Sequence, residues 1–448
     1  MPNLLDAVYL LALLVASPVL VRRMIRDGKY REGFRQKFQG RLPRRTGAAP
    51  CAWFHAVSVG EVLLLRGLIS RFRLRHPDWE VVVTSTTRAG LEVARKSYPD
   101  LVTCYAPLDF SWPTRNAVAR LRPRLLVLAE LELWPNLIAA ARNLGARVAI
   151  VNGRLSDRSA RGYARLRPFL LPTLHGLDRV AVQSETYARR FAEIGVPPDR
   201  IATTGSIKYD NLETDRDNPR TTALRRDLGL APADLVFVAG STMEGEEPAV
   251  LDAYERARIH HRSLRLVLVP RHPERFERVA RMIEDRGLPL VRRGHPERPA
   301  PEGDANPVVL IDTLGELSAV WGLADVAFVG GSLLPGRGGQ NMMEPAAFGA
   351  SVLFGPHTHN FKEAVEGLLA CHGARRVGSG AELTRCLIAD LTDPETAAQR
   401  GEAARRFVLA QQGAADRTLA ELERLLGPPI LPYPQPRNRA RTLSAKPA

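Results

Sequence analysis

The stretch Ala52–Glu61, AWFHAVSVGE, carries the reading of the fold. Ala52–Ala56 is apolar except for His55, as expected of a buried strand. Gly60 allows a tight turn, and a helical pattern then runs over Glu61–Arg75. The same strand-then-helix unit recurs downstream. Further strands are predicted at Glu80–Thr84, Leu101–Tyr105, Leu125–Leu128, Arg147–Val151, Arg179–Val182 and Ile201–Thr203, with helical patterns between them, as at Leu137–Leu144. This alternation predicts a parallel sheet with helices on both faces.

Asn211–Arg220 is polar and aperiodic, and reads as a linker. Alternation then resumes with strands predicted at Leu235–Ala239, Leu264–Val269, Val308–Ile311, Val326–Val329 and Ser351–Phe354. A long helical pattern, Pro394–Leu426, follows. The tail Gly427–Ala448 holds six prolines and is expected to be disordered. The expected architecture is α/β: two doubly wound, Rossmann-like domains, 48–210 and 221–426, facing a cleft and joined by the linker 211–220. The second is expected to keep the long C-terminal helices. Ligands of such sheets bind at the carboxyl ends of strands.

Charge is distributed unevenly. Residues 1–210 hold 33 Lys+Arg against 17 Asp+Glu, a net of +16, whereas the remainder holds 30 against 31. The first half should therefore favour anions. A nucleic-acid-binding protein would interleave stacking aromatics with its basic residues, and aromatics make up only 6% of the chain. The four cysteines, Cys51, Cys104, Cys371 and Cys386, form no Cys-x-x-Cys pair, which argues against a zinc site or a disulfide framework.

Residues 1–47 stand apart. Leu4–Val21 is apolar apart from Asp6 and Ser17-Pro18, at the short edge of a spanning helix. Basic residues follow, from Arg22 to Arg45, and the positive-inside rule places what comes after on the cytoplasmic side. A membrane-anchor helix is expected, either spanning or lying in the interface.

Several motifs sit just past strands. Glu61 can serve as a proton acceptor or as an acid suited to a helix start. Glu130 and Glu132 share a face if their strand continues, with capping of the next helix as the alternative. Arg154, after the fifth strand, can hold a phosphate or simply belong to a turn. In the second half, backbone amides of Ser241–Glu247 can bind a phosphate, and Arg271 is placed for a phosphate or a base edge. Asn341 and Glu344, three apart at a helix start, can face one ligand. The glycine-rich loop 330–341 has neither dinucleotide nor P-loop spacing, which disfavours an oxidoreductase. Asp215-Arg216-Asp217 is a literal Asp-x-Asp, but it falls in the linker.

In order, HAVSVGE (55–61), ELELWPNLI (130–138), NGRLSDRSARGY (152–163), QSETYARRF (183–191), GSIKYD (205–210), PRHPERF (270–276), DTLGEL (312–317), GGSLLPGRGGQN (330–341) and MEPAA (343–347) resemble the 3-deoxy-D-manno-octulosonic acid (Kdo) transferases of lipopolysaccharide biosynthesis. The likeness runs from about Leu4 to about Leu426. It implies a GT-B glycosyltransferase anchored to the inner membrane, with its catalytic domains on the cytoplasmic side. It implies inverting transfer of Kdo from CMP-Kdo, a substrate, to a lipid A precursor, with neither metal nor cofactor. By this likeness the first domain binds the acceptor and the second binds CMP-Kdo. Glu61 matches the catalytic base, and Glu130, placed with it among the catalytic residues, matches a second acidic position in the acceptor cleft. Ser58, Gly60, Glu132 and Arg154 are assigned to the acceptor. The CMP site falls on Pro270, Arg271, Leu314, Gly315, Glu316, Asn341, Met342, Met343 and Glu344. The family commonly carries His where Met243 and Gln340 stand, and Pro-Leu where Met342-Met343 stand. The rival reading is a GT-B transferase with another nucleotide-sugar donor.

Overall fold

In the computed structural model, which describes residues 2–26, 32–295 and 306–427, each predicted strand forms. The first seven are β1 (Cys51–Ala56), β2 (Glu80–Ser85), β3 (Val102–Tyr105), β4 (Leu125–Ala129), β5 (Arg147–Gly153), β6 (Arg179–Val182) and β7 (Ile201–Thr203). They pair in parallel in the order β3-β2-β1-β4-β5-β6-β7. β1 is buried along its whole length, as a strand covered on both faces must be. The order reverses between β1 and β4, so side chains leaving those two strands meet at the switch point, where such sheets bind ligands.

The second sheet contains β8 (Leu235–Thr242), β9 (Leu264–Pro270), β10 (Leu290–Arg292), β11 (Val308–Leu310), β12 (Val326–Val329), β13 (Ser351–Phe354) and β14 (Ala374–Arg376). Their order is β10-β11-β9-β8-β12-β13-β14, again parallel, with its switch between β8 and β12. The edge strands β10 and β14 are three residues each and were not anticipated.

The chain divides into two units. One comprises Met1–Asp210 with Gly413–Ala448, the other Asn211–Gln412. This corrects the expected boundary at 426. Gly413, with φ 85°, breaks the long helical pattern into Pro394–Gln411 and Ala414–Leu426. The latter helix buries Ala414, Ala415, Leu419 and Leu422 in the first unit's core with Phe54, Leu65 and Val83. Arg179 pairs with Glu421, and the Asp210 carboxylate accepts from the Gly413 and Ala415 amides. The expected linker is also shorter, because Asn218 caps a helix that begins at Pro219. The expected tail, 427–448, lies outside the described residues beyond Gly427.

The N-terminal helix spans Pro2–Arg26. Among the described residues no helix is long and apolar enough to cross a membrane, so of the two forms expected for the anchor the spanning one is not found. Pro18 lies inside the helix, and polar side chains of the helix are bonded into the first unit. Buried Asp6 accepts from the Ser111 amide at 2.9 Å, from the Ser111 hydroxyl at 2.5 Å and from Asn136 Nδ2 at 3.2 Å. Tyr9 donates to Asp109 at 3.2 Å. Val8, Leu11, Leu14 and Val15 lie away from Asp6 and, like Leu10, remain exposed.

Candidate active site

β1 ends at Ala56, and the helix Val59–Arg75 begins three residues later. Ser58 is its N-cap: its hydroxyl accepts from the Glu61 amide at 3.3 Å. Glu61 reaches back in return. One carboxylate oxygen accepts from the Val57 amide at 2.8 Å, the other from the Ser58 hydroxyl at 2.8 Å. This is a capping box that extends one residue beyond the cap. The capping role is therefore real, and it holds the carboxylate at the end of β1. Burial raises the Glu61 pKa, its two hydrogen bonds oppose that rise, and the Glu130 charge adds to it. Gly60 lies inside the helix, where an added Cβ would meet only Ser58 Oγ at 3.9 Å, so space does not demand a glycine there. Beneath the site, His55 Nδ1 lies 3.0 Å from the Thr84 hydroxyl. Burial lowers the pKa of His55 to about 4, leaving it neutral.

β4 stops at Ala129, and Glu130 adopts a left-handed backbone with φ 53°. Few non-glycine residues do so, and the strain marks a turn held by its surroundings. Strand alternation therefore does not place Glu130 and Glu132; the turn does. The Glu130 amide is anchored on the Val151 carbonyl at 2.9 Å. Glu132 has its pKa raised to about 7, chiefly by burial and then by the Glu61 charge, with Glu130 contributing less. The three carboxylates thus lie within electrostatic reach of one another.

Lys208 supplies the balancing charge, with Nζ 3.2 Å from Glu130. In the sequence it stands inside the GSIKYD motif, where nothing nearby marks a role for it. Its placement depends on Asn152, a buried residue with φ 55° at the end of β5, whose side chain accepts from the Ile207 amide at 3.1 Å. Only the folded chain brings 130, 152 and 208 together. Arg154 follows β5 and is half-buried.

In the second unit the donor candidates leave neighbouring strands. Pro270 ends β9, and the Arg271 amide donates to the Thr242 carbonyl at 3.0 Å. Leu314, Gly315 and Glu316 follow β11. Gly315 has φ 88°, Leu314 is exposed, and Glu316 pairs with Arg293 at 3.3 Å. Asn341 Nδ2 donates to Glu344 at 2.8 Å, while its oxygen accepts from the Met343 amide at 3.2 Å. Burial raises the Glu344 pKa, opposed by the Asn341 bond and by the Arg271 charge. Arg271 and Glu344 are therefore electrostatic neighbours. Met342 and Met343 bury their side chains, which leaves the backbone as what they can offer a ligand.

Among the described residues no three His, Cys, Asp or Glu are grouped to hold a metal ion. In the Asp215-x-Asp217 sequence, Asp215 accepts from the Asp217 amide at 2.9 Å, within the turn that leads to the Pro219 helix.

Two units, each a parallel seven-stranded sheet with its candidate residues at the carboxyl ends of the strands, have the GT-B fold. A glycosyltransferase from Rickettsia africae has the same fold, at 13% identity and TM-score 0.56, with 84% of this chain and 99% of that one covered. The family model described as 3-deoxy-D-manno-octulosonic-acid transferase matches residues 32–211. The 3-deoxy-D-manno-octulosonic acid transferase of Bordetella pertussis is 34% identical over 440 residues, covering 94% of this chain and 99% of the relative. That of Haemophilus influenzae is 32% identical over 418 residues, covering 92% and 96%. The chain belongs to the Kdo transferase family, and Kdo transfer in lipopolysaccharide core biosynthesis is its reaction.

Proposed function

We propose that the chain transfers Kdo from CMP-Kdo to a sugar hydroxyl of a lipid A precursor, with inversion and without a bound metal or other cofactor. The observation that carries this reading is the gathering of Glu61, Glu130 and Glu132 beyond β1 and β4, with Lys208 beside them. A hydroxyl becomes a competent nucleophile when a positioned base takes its proton as it attacks. Glu61 is that base. The acceptor oxygen bonds to the anomeric carbon of Kdo while the bond from that carbon to the phosphate oxygen breaks, and CMP leaves. Arg271 meets the charge of the departing phosphate. Glu344 and Asn341 take the ribose, and Pro270, Leu314, Gly315, Glu316 and the backbone of Met342-Met343 complete the CMP site.

On the acceptor side, Glu130 is held by Lys208. Glu132, titrating near neutrality, can donate to or accept from a sugar hydroxyl. Ser58 and Gly60 flank the base, and Arg154 serves an acceptor phosphate. A lipid acceptor suits an enzyme that works at a membrane surface. The exposed Val8, Leu11 and Val15 side of the first helix, followed by Arg22, Arg23 and Arg26, suits a helix lying in the cytoplasmic interface of the inner membrane. Each Lys or Arg near an anionic surface adds about 1 kcal/mol to such binding.

Calorimetric titration with CMP, UDP and GDP tests the donor. Preference for CMP supports the reading, and preference for UDP or GDP would replace it with a transferase of another sugar nucleotide.

A further inference from the structure

Glu246 and Glu247 open the helix Glu246–Arg258, and both side chains are fully buried. Acidic side chains are seldom buried without partners, because an unpaired charge is costly away from water. These two find their partners in different loops. Glu247 forms a two-point bond with the Arg275 guanidinium, at 2.6 and 2.8 Å, in the segment after β9. Glu246 meets four backbone amides. One of its oxygens accepts from Met243 at 2.8 Å and Gly331 at 2.7 Å, the other from Ser332 at 3.0 Å and Leu333 at 2.9 Å.

Successive amides that converge on one point form a nest, an arrangement that binds phosphate oxygens in many proteins. In this chain the nest is filled by the protein's own carboxylate. Gly331, with φ 66°, turns the amides inward. Gly330 lets that turn lie directly on the end of β8, since a Cβ there would come within 2.6 Å of the Ser241 oxygen and Thr242 Cα. The Gly331 carbonyl in turn accepts from the Gly339 amide at 2.8 Å, two residues before Asn341. On the other side, Met243 is the neighbour of Thr242, on whose carbonyl the Arg271 amide hangs. A single helix start thus grips both walls of the donor site: Glu246 the wall that leads to Asn341–Glu344, Glu247 the wall that carries Arg271.

We propose that Glu246 is a positioning residue for the sugar-nucleotide donor, an internal anion that saturates the Gly331–Leu333 amides and leaves the donor phosphate to Arg271. The proposal rests on the donor-site reading given above. It also removes the Met243 amide from those of the Ser241–Glu247 motif that were expected to bind a phosphate, because that amide is already engaged.

The test is kinetic. Glu246→Gln keeps the shape but offers one acceptor oxygen and one donor group, so two backbone amides lose their partner. KM for CMP-Kdo should rise about tenfold or more, with KM for the acceptor unchanged within about twofold, and Glu246→Asp should recover part of the loss. Wild-type donor KM in folded Glu246→Gln, with a raised KM in Arg271→Ala, overturns the positioning role and leaves the donor site standing. Unchanged CMP affinity in Arg271→Ala overturns the donor site itself, and the proposal with it. Should Glu246→Gln fail to fold, hydrogen exchange on the wild-type enzyme decides. The amides of Met243, Gly331, Ser332 and Leu333 should be protected in the free enzyme and unaltered by saturating CMP. Rapid exchange that slows only when CMP binds would overturn the proposal.

Discussion

The two units place a glutamate at the same point of the same topology and satisfy it differently. Glu61 follows β1 and Glu246 follows β8, each the strand at which its sheet reverses order. A carboxylate has room for about four hydrogen bonds. Glu61 receives two, from Val57 and Ser58, and remains half-buried. Glu246 receives four amides and is sealed from solvent. The first keeps capacity for a substrate proton; the second has none left and serves to hold a loop. What separates a reactive acid from a structural one at this position is how many backbone donors the local turn aims at it. The acids around Glu61 sharpen the contrast: burial raises both Glu61 and Glu132, with the Glu130 charge adding to the first and the Glu61 charge to the second.

Breaking the comparison at its reactive end should have the largest effect. Glu61→Gln should lower the transfer rate by about a thousandfold or more, with CMP affinity within about twofold of wild type, because it removes a proton acceptor and no donor contact. Rapid-quench turnover and CMP calorimetry measure the two halves of that statement. Near-normal turnover would return Glu61 to a capping role like that of an ordinary helix-start acid.

Next in size is the donor side. Arg271→Ala should raise KM for CMP-Kdo by about ten- to a hundredfold, the range expected for a lost charge-assisted bond to phosphate. Activity of the wild type should survive EDTA, since the phosphate charge is assigned to Arg271. Loss in EDTA with recovery in magnesium would show that an ion shares the task.

A smaller effect is expected at Lys208. Lys208→Met removes the cation beside Glu130 and leaves three neighbouring carboxylates without it. The pair is partly exposed, so solvent screens it. A fall of about fivefold in kcat/KM for the acceptor, with donor KM unchanged, is the expected outcome. Equal losses on donor and acceptor would show that Lys208 supports the fold rather than the acid cluster.

The smallest effect concerns pH. Glu132 keeps its proton up to about 7 in the folded enzyme, against 4.5 as the ordinary value. The folded state therefore binds more protons than the unfolded chain between those values, and stability falls as pH rises through that window. Glu132→Gln should flatten this part of the Tm profile by a degree or two. An unchanged slope would show that Glu132 is not the group with the raised pKa.

The strands were legible because each interior strand is a short apolar run between turn residues. β10 and β14 escaped because each is three residues long and ends in arginine, which leaves too little apolar pattern to register. The helix Ala414–Leu426 was legible as a helix but not as part of the first unit, since its pairing with Arg179 and Phe54 spans more than two hundred residues of chain. In the site, Glu61 and Glu130 stood out by following predicted strands, and the likeness to the family assigned their roles. Lys208 and Glu246 did not stand out. Their roles depend on partners distant in sequence, Glu130 for one and Gly331–Leu333 for the other. Hydropathy alone left the N-terminal segment open between spanning the membrane and lying in its interface, because it does not show Asp6 buried against Ser111 and Asn136.

The most direct test of the account is to incubate the full chain, and Glu61→Gln beside it, with CMP-Kdo and a lipid A precursor in EDTA, and to weigh the lipid by mass spectrometry. The account predicts that the wild-type enzyme adds the mass of a Kdo residue while releasing CMP, and that the variant leaves the lipid unchanged although it still binds CMP. Unmodified lipid with the wild type, or full conversion by Glu61→Gln, would contradict it.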